Sequence, residues 1–176
     1  NREGKTFEQE YHTGIPQYPV RETGTSDKTG TRVQFWPDAS IFLTIVYNRD
    51  ILESRLRELA YLNRKIRIHM TDTRELDENN EPYRKEFYSE GGIVEFVEML
   101  DQSAGRNSLI PKVLFVEGLD PDTNVSVEVA MNYNDSYNEH IYSYVNNINT
   151  IEGGTHVAGF RRALTRVFKS YGDKNG

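Results

Sequence analysis

Arg161, Arg162, Arg166 and Lys169 stand close together, with no acidic residue between Arg161 and Lys169. At helical spacing they occupy the face opposite an apolar stripe of Val157, Phe160, Leu164, Val167, Phe168 and Tyr171. Cations so arranged can contact the phosphates of a nucleic acid. An ordinary solvated helix face has the same pattern, and the residue types alone leave both readings open. Two glycine pairs, in Glu90-Gly91-Gly92 and Glu152-Gly153-Gly154-Thr155, open predicted helices. Free amides at a helix start can hold phosphate. Turn geometry with a Thr155 cap is the simpler explanation and is preferred.

Other chemistry is sparse. His12, His69, His140 and His156 are isolated from one another, with no H-E-x-x-H pair to hold a metal. Neither a G-x-S-x-G elbow nor a phosphate-binding G-x-x-x-x-G-K-[ST] loop occurs. Carboxylates are numerous but fall into no acid/base arrangement. The chain has no cysteine, which excludes a disulfide scaffold and a thiolate metal site.

Composition bounds the fold. Among the 176 residues, 36% are apolar and 27% charged, enough to build a core. The longest apolar stretch, Ile41–Tyr47, is far shorter than the roughly 20 residues a bilayer-spanning helix needs. A net charge of −6 argues against strong autonomous DNA binding. The charge is unevenly spread: 72–90 is acidic and 161–174 basic. The first residues, Asn1-Arg2-Glu3-Gly4-Lys5, are polar, do not include an initiating Met and do not form a signal peptide. The chain is therefore expected to be a piece of a longer protein.

Residues 5–12 and 31–36 read as strands, with Thr31, Val33 and Phe35 on one face of the second. Two strands cannot bury a core alone, so this stretch is expected to complete a domain begun elsewhere. From about residue 38 the pattern changes. Phe42–Tyr47 reads as a buried strand, and Asn48 caps a helix to about Asn63 with Leu52, Leu56, Leu59 and Leu62 as its stripe. Strands are predicted at 65–72 and 84–89 around a polar tip. A helix follows Gly91-Gly92, with Ile93, Phe96, Val97 and Leu100 at helical spacing. Further strands at 111–118, 125–133 and 140–147 precede a helix from Thr155 to about Tyr171. This order predicts an α+β fold, one mixed or antiparallel sheet with helices on one face.

Several blocks carry a family resemblance. Lys28–Asp38 looks like the strand that closes the ATPase domain of DNA gyrase B, a component of a type IIA DNA topoisomerase. Arg55–Asn63 resembles the first helix of that family's transducer domain. Tyr88–Ile93, Asn146–Thr150 and above all Glu152–Arg161 match as well, so the resemblance runs along essentially the whole chain. The corresponding component of topoisomerase IV is the near alternative. A stand-alone interaction module with a transducer-like fold is another. Tyr88–Ile93 and Asn146–Thr150 look more like gyrase, and orphan strands at 5–36 argue against a self-sufficient module.

The resemblance implies the following. Residues 1–37 would be the C-terminal strands of an incomplete ATPase domain of the type shared by gyrases, chaperones, histidine kinases and mismatch-repair proteins (GHKL). Residues 38–176 would be a transducer domain resembling the second domain of a small-subunit ribosomal protein, with a left-handed β-α-β crossover. Patterning alone would favour the right-handed form. The transducer couples ATP binding and closure of a gyrase B dimer to passage of DNA, in company with the gyrase A protein, in the cytoplasm. Arg2 matches a nucleotide-pocket rim arginine that also meets coumarin antibiotics. Thr31 matches a threonine near the adenine edge, and Val33 an apolar pocket residue. Arg161, Arg162 and Arg166 fall on a helix that can face the DNA cavity. The family's catalytic glutamate, Mg²⁺-holding asparagine and γ-phosphate lysine have no counterpart here. ATP and Mg²⁺ are thus expected as cofactors of the intact protein only, and no catalytic residue is assigned to this chain.

Overall fold

Thr13 and Gly14 both adopt positive φ (48° and 81°), which gives a two-residue turn the twist that joins adjacent antiparallel strands. That turn lies at the tip of the first hairpin. The computed structural model describes residues 1–176. Strands β1 (Lys5–Glu8) and β4 (Arg21–Thr25) pair antiparallel, with a bulge between Thr6 and Phe7. β2 (Tyr11–His12) and β3 (Ile15–Pro16) form the tip. Lys5 reaches Glu22 at 2.8 Å, and Glu8 accepts from both Arg21 and Tyr18 at 2.9 Å. No residue of this stretch is fully buried.

The chain divides into two compact units, Asn1–Asn48 and Arg49–Gly176. Two strands expected in the first are not formed. Thr31–Trp36 and Phe42–Tyr47 have no ladder partner and remain irregular and largely exposed. Strand conformation requires a neighbouring strand to take its backbone hydrogen bonds, and no ladder pairs with either segment. Between them Asp38 turns the chain: its carboxylate accepts from the backbone and hydroxyl of Ser40.

In the second unit, α1 (Arg49–Leu62) starts directly after Asn48 and packs on the hairpin β5 (Ile68–Leu76)/β6 (Pro82–Phe87). Ile68, Met70 and Asp72 share a face with Phe87, Lys85 and Tyr83 by register. That face meets α1 through charge as much as through carbon. Glu53, buried on α1, accepts from Tyr83 at 2.7 Å and from Lys85. The buried face of α1 therefore centres on Glu53 and Ala60, and Leu52 of the expected stripe is left exposed. Asp72 is held by Arg74 (2.6 and 2.8 Å) and Arg49 (2.8 Å). The tip 77–81 is organised by Asp77, which accepts from the Asn79 and Glu81 amides at 2.9 Å.

The arginines beside Asp72, Arg74 first, hold its carboxyl well below the usual carboxylate range. Lys85 and Tyr83 lower Glu53. In the unfolded chain such groups take up protons near pH 4, whereas the folded chain resists protonation there. The unfolded state thus binds more protons in that window, and folding stability must fall as pH drops through about 4 and below. The urea midpoint is expected to decline from about pH 6 to about pH 3, and Asp72→Asn should flatten that decline. An equally steep decline in the variant would show that Asp72 does not contribute.

Helix α2 (Ile93–Ser103) begins after Gly92, which takes φ 64°. A Cβ there would lie 2.3 Å from Cγ of Arg64, so only glycine fits. Phe96 of α2 stacks on Tyr61 of α1, centroids 5.2 Å apart, with Tyr142 and Tyr144 at 6.1 and 6.4 Å. Buried Asp101, near the end of α2, accepts from Arg106 (2.8 Å), Asn132 (2.7 Å) and Asn134 (2.9 Å). It thereby ties the helix to the end of β8 (Val125–Met131), which pairs with β7 (Leu114–Asp120). Glu117 and Glu128 are directly opposed in that ladder. Arg64 bridges the two like charges, at 3.3 and 2.7 Å.

The strand expected at 140–147 shrinks to a small hairpin, β9 (Tyr144–Val145) and β10 (Ile148–Asn149). Asn146 and Asn147 form its turn at positive φ, a conformation asparagine tolerates. Arg55 of α1 donates to the Asn147 carbonyl at 2.6 Å, and Tyr144 donates to Glu58. Helix α3 (Thr155–Asn175) follows, extending beyond the expected end at Tyr171.

The α+β content stands, but the single sheet does not: the strands form five separate antiparallel pairs. No parallel pair occurs, so the β-α-β crossover is not formed by these ladders. Isolated hairpins each satisfy one neighbour, and β7–β8 leaves Val116, Val125 and Val127 exposed.

Candidate functional site

Helix α3 separates its two chemistries by periodicity. Val157, Phe160 and Leu164 are half-buried, while Val167, Phe168 and Tyr171 further along the stripe are exposed. The other side carries Arg161, Arg162, Thr165, Arg166 and Lys169, which line one shallow, open concavity. Thr165 turns its hydroxyl back to the Arg161 carbonyl at 2.9 Å and so adds no competing charge. From Arg162 to Lys169 the face runs roughly 10 Å along the helix axis. Duplex DNA carries about one negative charge per 1.7 Å, so that length matches several phosphates.

One acid reaches this face. Glu139, in the loop before β9, accepts from Arg161 at 2.6 Å. Arg162, Arg166 and Lys169 have no carboxylate within ion-pair distance. Arginine's planar fork suits bidentate contact with a phosphate, which makes Arg162 and Arg166 the stronger candidates on this face. Sequence reasoning missed Glu139, because nothing in local spacing links it to Arg161.

The first glycine pair is not a free anion site. At the start of α2, the Gly91 amide donates to Glu95 and the Gly92 amide to Ser89, both at 2.8 Å, while Ser89 donates to Glu95 at 2.5 Å. Glu95 thus reaches back over the helix start, as the acid of a capping box does. At the start of α3 the cap position is Gly154, and Thr155 lies inside the helix without a side-chain cap bond. This corrects the expected Thr155 cap: Thr150 takes up the local polar contacts instead, meeting Ser143 at 2.6 Å and His156 at 3.1 Å.

The nucleotide-pocket candidates lie in the first unit. The terminal amine of Asn1 donates to the Gly30 carbonyl at 2.8 Å, and the Gly30 amide donates to the Asn1 carbonyl at 3.0 Å. This pair ties the start of the chain to Gly30, the residue before Thr31. The side chains remain open: Arg2 meets only Glu3, at 3.4 Å, and Val33 is 80% exposed. A small-molecule site encloses most of its ligand, and these three residues enclose nothing.

Comparison with known proteins bears on both regions. A sequence profile of the family described as DNA gyrase B matches residues 92–176. A DNA gyrase B protein from Chitinophaga japonensis is 65% identical over 175 residues, covering 99% of this chain and 36% of that protein. One from Eisenibacter elegans is 56% identical over 176 residues, 100% of this chain and 36% of that protein. The chain therefore spans about a third of the length of the curated relatives it matches. The crystal structure of the B-subunit of the DNA gyrase from Myxococcus xanthus superposes with a TM-score of 0.68. It covers 92% of this chain and 45% of its own, at 23% identity, and so speaks to the fold.

Proposed function

We propose that the chain belongs to the DNA gyrase B family, to which its sequence is similar along nearly its whole length, and that it is the part of the ATP-operated clamp that couples ATP binding to DNA strand passage and negative supercoiling. Residues 1–37 supply the last strands of the GHKL ATPase domain. Residues 38–176 are the transducer, whose hairpins join into the ribosomal-protein-like sheet with the left-handed crossover when the rest of the protein is present. The observation that carries this proposal is the 65% identity along nearly the whole chain to a DNA gyrase B protein. Topoisomerase IV is not favoured, since the relatives named above are gyrases.

In the intact protein ATP and Mg²⁺ are the cofactors. DNA, the gyrase A protein and a second copy of gyrase B are the partners, and the cytoplasm is the compartment. Arg2, Thr31 and Val33 contribute one wall of the nucleotide pocket, which the remainder of the ATPase domain closes. Their exposure here supports a site that is incomplete within this chain. Arg161, Arg162 and Arg166 face the DNA passing through the clamp, and the open basic concavity of α3 supports that role. The chain alone hydrolyses no ATP.

Calorimetric titration of the chain with a non-hydrolysable ATP analogue and Mg²⁺, beside an intact DNA gyrase B protein, tests the division. Saturable heat is expected from the intact protein only. Saturable binding by the chain alone would mean that a whole nucleotide site lies within these residues.

A further inference from the structure

We infer that Glu139 is an acidic gate on the basic face of α3, and that a DNA phosphate displaces its carboxylate from Arg161. The inference rests on the reading of this face as a DNA contact. Among the cations lining the concavity, Arg161 alone is neutralised, and a single carboxylate does it, at 2.6 Å. Glu139 and Arg161 are both exposed, with about half or more of each side chain in solvent. An ion pair so exposed is weak and readily exchanged, because water competes for both charges. A phosphate arriving at Arg162 and Arg166 would lie next to Arg161 on the same helical face and would meet the Glu139 charge there. Binding must then either leave Arg161 out or release Glu139 to solvent. Release is the expected route, since a guanidinium bonds a phosphate in its two-pronged geometry at least as well as a carboxylate. The gate thus lowers affinity for any passing duplex without altering which sequence is bound, as suits a surface that DNA must leave again.

The test is fluorescence anisotropy of a short labelled DNA duplex titrated with the chain over a range of salt concentrations. Glu139→Gln keeps the size of the side chain and removes its charge. It is expected to tighten binding by about fivefold at low salt. It should also steepen the salt dependence by up to about 0.9 in log K against log salt, the increment for one more neutralised phosphate. In an Arg161→Gln background the same substitution should have little effect, because the gated cation is gone. Arg162→Gln with Arg166→Gln reports on the face itself. If that double variant binds as well as the native chain, or if neither the native chain nor Glu139→Gln binds the duplex, the face is not a DNA contact and both readings fall. If the double variant loses binding while Glu139→Gln changes neither affinity nor salt slope, the face stands and the gate falls. An equal gain in the presence and absence of Arg161 would also overturn the gate, leaving only a diffuse charge effect.

Discussion

Replacing Phe96 with alanine should cost about 4 kcal/mol of folding stability, the range found when a buried phenylalanine is cut back to a methyl group. Phe96 is 8% exposed and joins α1, α2 and the segment around β9. It stacks nearly parallel to Tyr61, at 16° between planes, and has Tyr142 and Tyr144 along its flank. Few other side chains share that position. Ala60, Phe87 and Val113 are the remaining buried apolar residues, so the second unit has little core to spare. A domain of ordinary stability keeps only about 5–15 kcal/mol in hand, and this loss would consume much of it. Urea unfolding followed by circular dichroism is the suitable readout, because Trp36 lies in the first unit and is 79% exposed. Phe96→Leu should cost appreciably less, since it retains most of the buried carbon. A loss below about 1 kcal/mol for the alanine variant would show that α1 and α2 are not held together at this ring.

The elements that could be read in the sequence were those set by local periodicity. Helix α1 begins where Asn48 indicated, and the alternation of Ile66, Ile68 and Met70 marked the hairpin arm. The apolar stripe and the basic face of α3 fall on opposite sides of one helix, as spacing required. What spacing could not supply was partnership. Thr31–Trp36 alternates like a strand yet joins no ladder, because a strand is defined by its neighbour rather than by itself. Glu53 and Asp101 stood among numerous carboxylates with no arrangement to single them out. Only the register of β5–β6 and the end of β8 bring Lys85, Tyr83, Asn132 and Asn134 to them. Glu139 is the same kind of miss at the candidate site. One signal was present and unused: the Asn146-Asn147 pair, whose tolerance of positive φ marks a two-residue hairpin turn.

The basic face also sets the second large effect. Reversing Arg162 and Arg166 to glutamate places repulsive charge where a duplex must pass, and electrostatics dominate such contacts. Each reversal is expected to weaken the DNA contact roughly tenfold, about 1.4 kcal/mol, and the pair roughly a hundredfold. The folded chain should tolerate both changes, because neither arginine is buried or ion-paired.

The most direct measurement exchanges the matching stretch of the Chitinophaga japonensis DNA gyrase B protein, which is 65% identical, for this chain. ATP hydrolysis and DNA supercoiling are then followed in the presence of the gyrase A protein, with and without Arg162→Glu and Arg166→Glu. The expected result is ATP-dependent supercoiling by the native chimera, and a charge-reversed chimera that still hydrolyses ATP but loses supercoiling by about two orders of magnitude. Undiminished supercoiling after charge reversal would contradict the role of α3 in the clamp. A native chimera that hydrolyses ATP but cannot supercoil would contradict the coupling role of the chain as a whole.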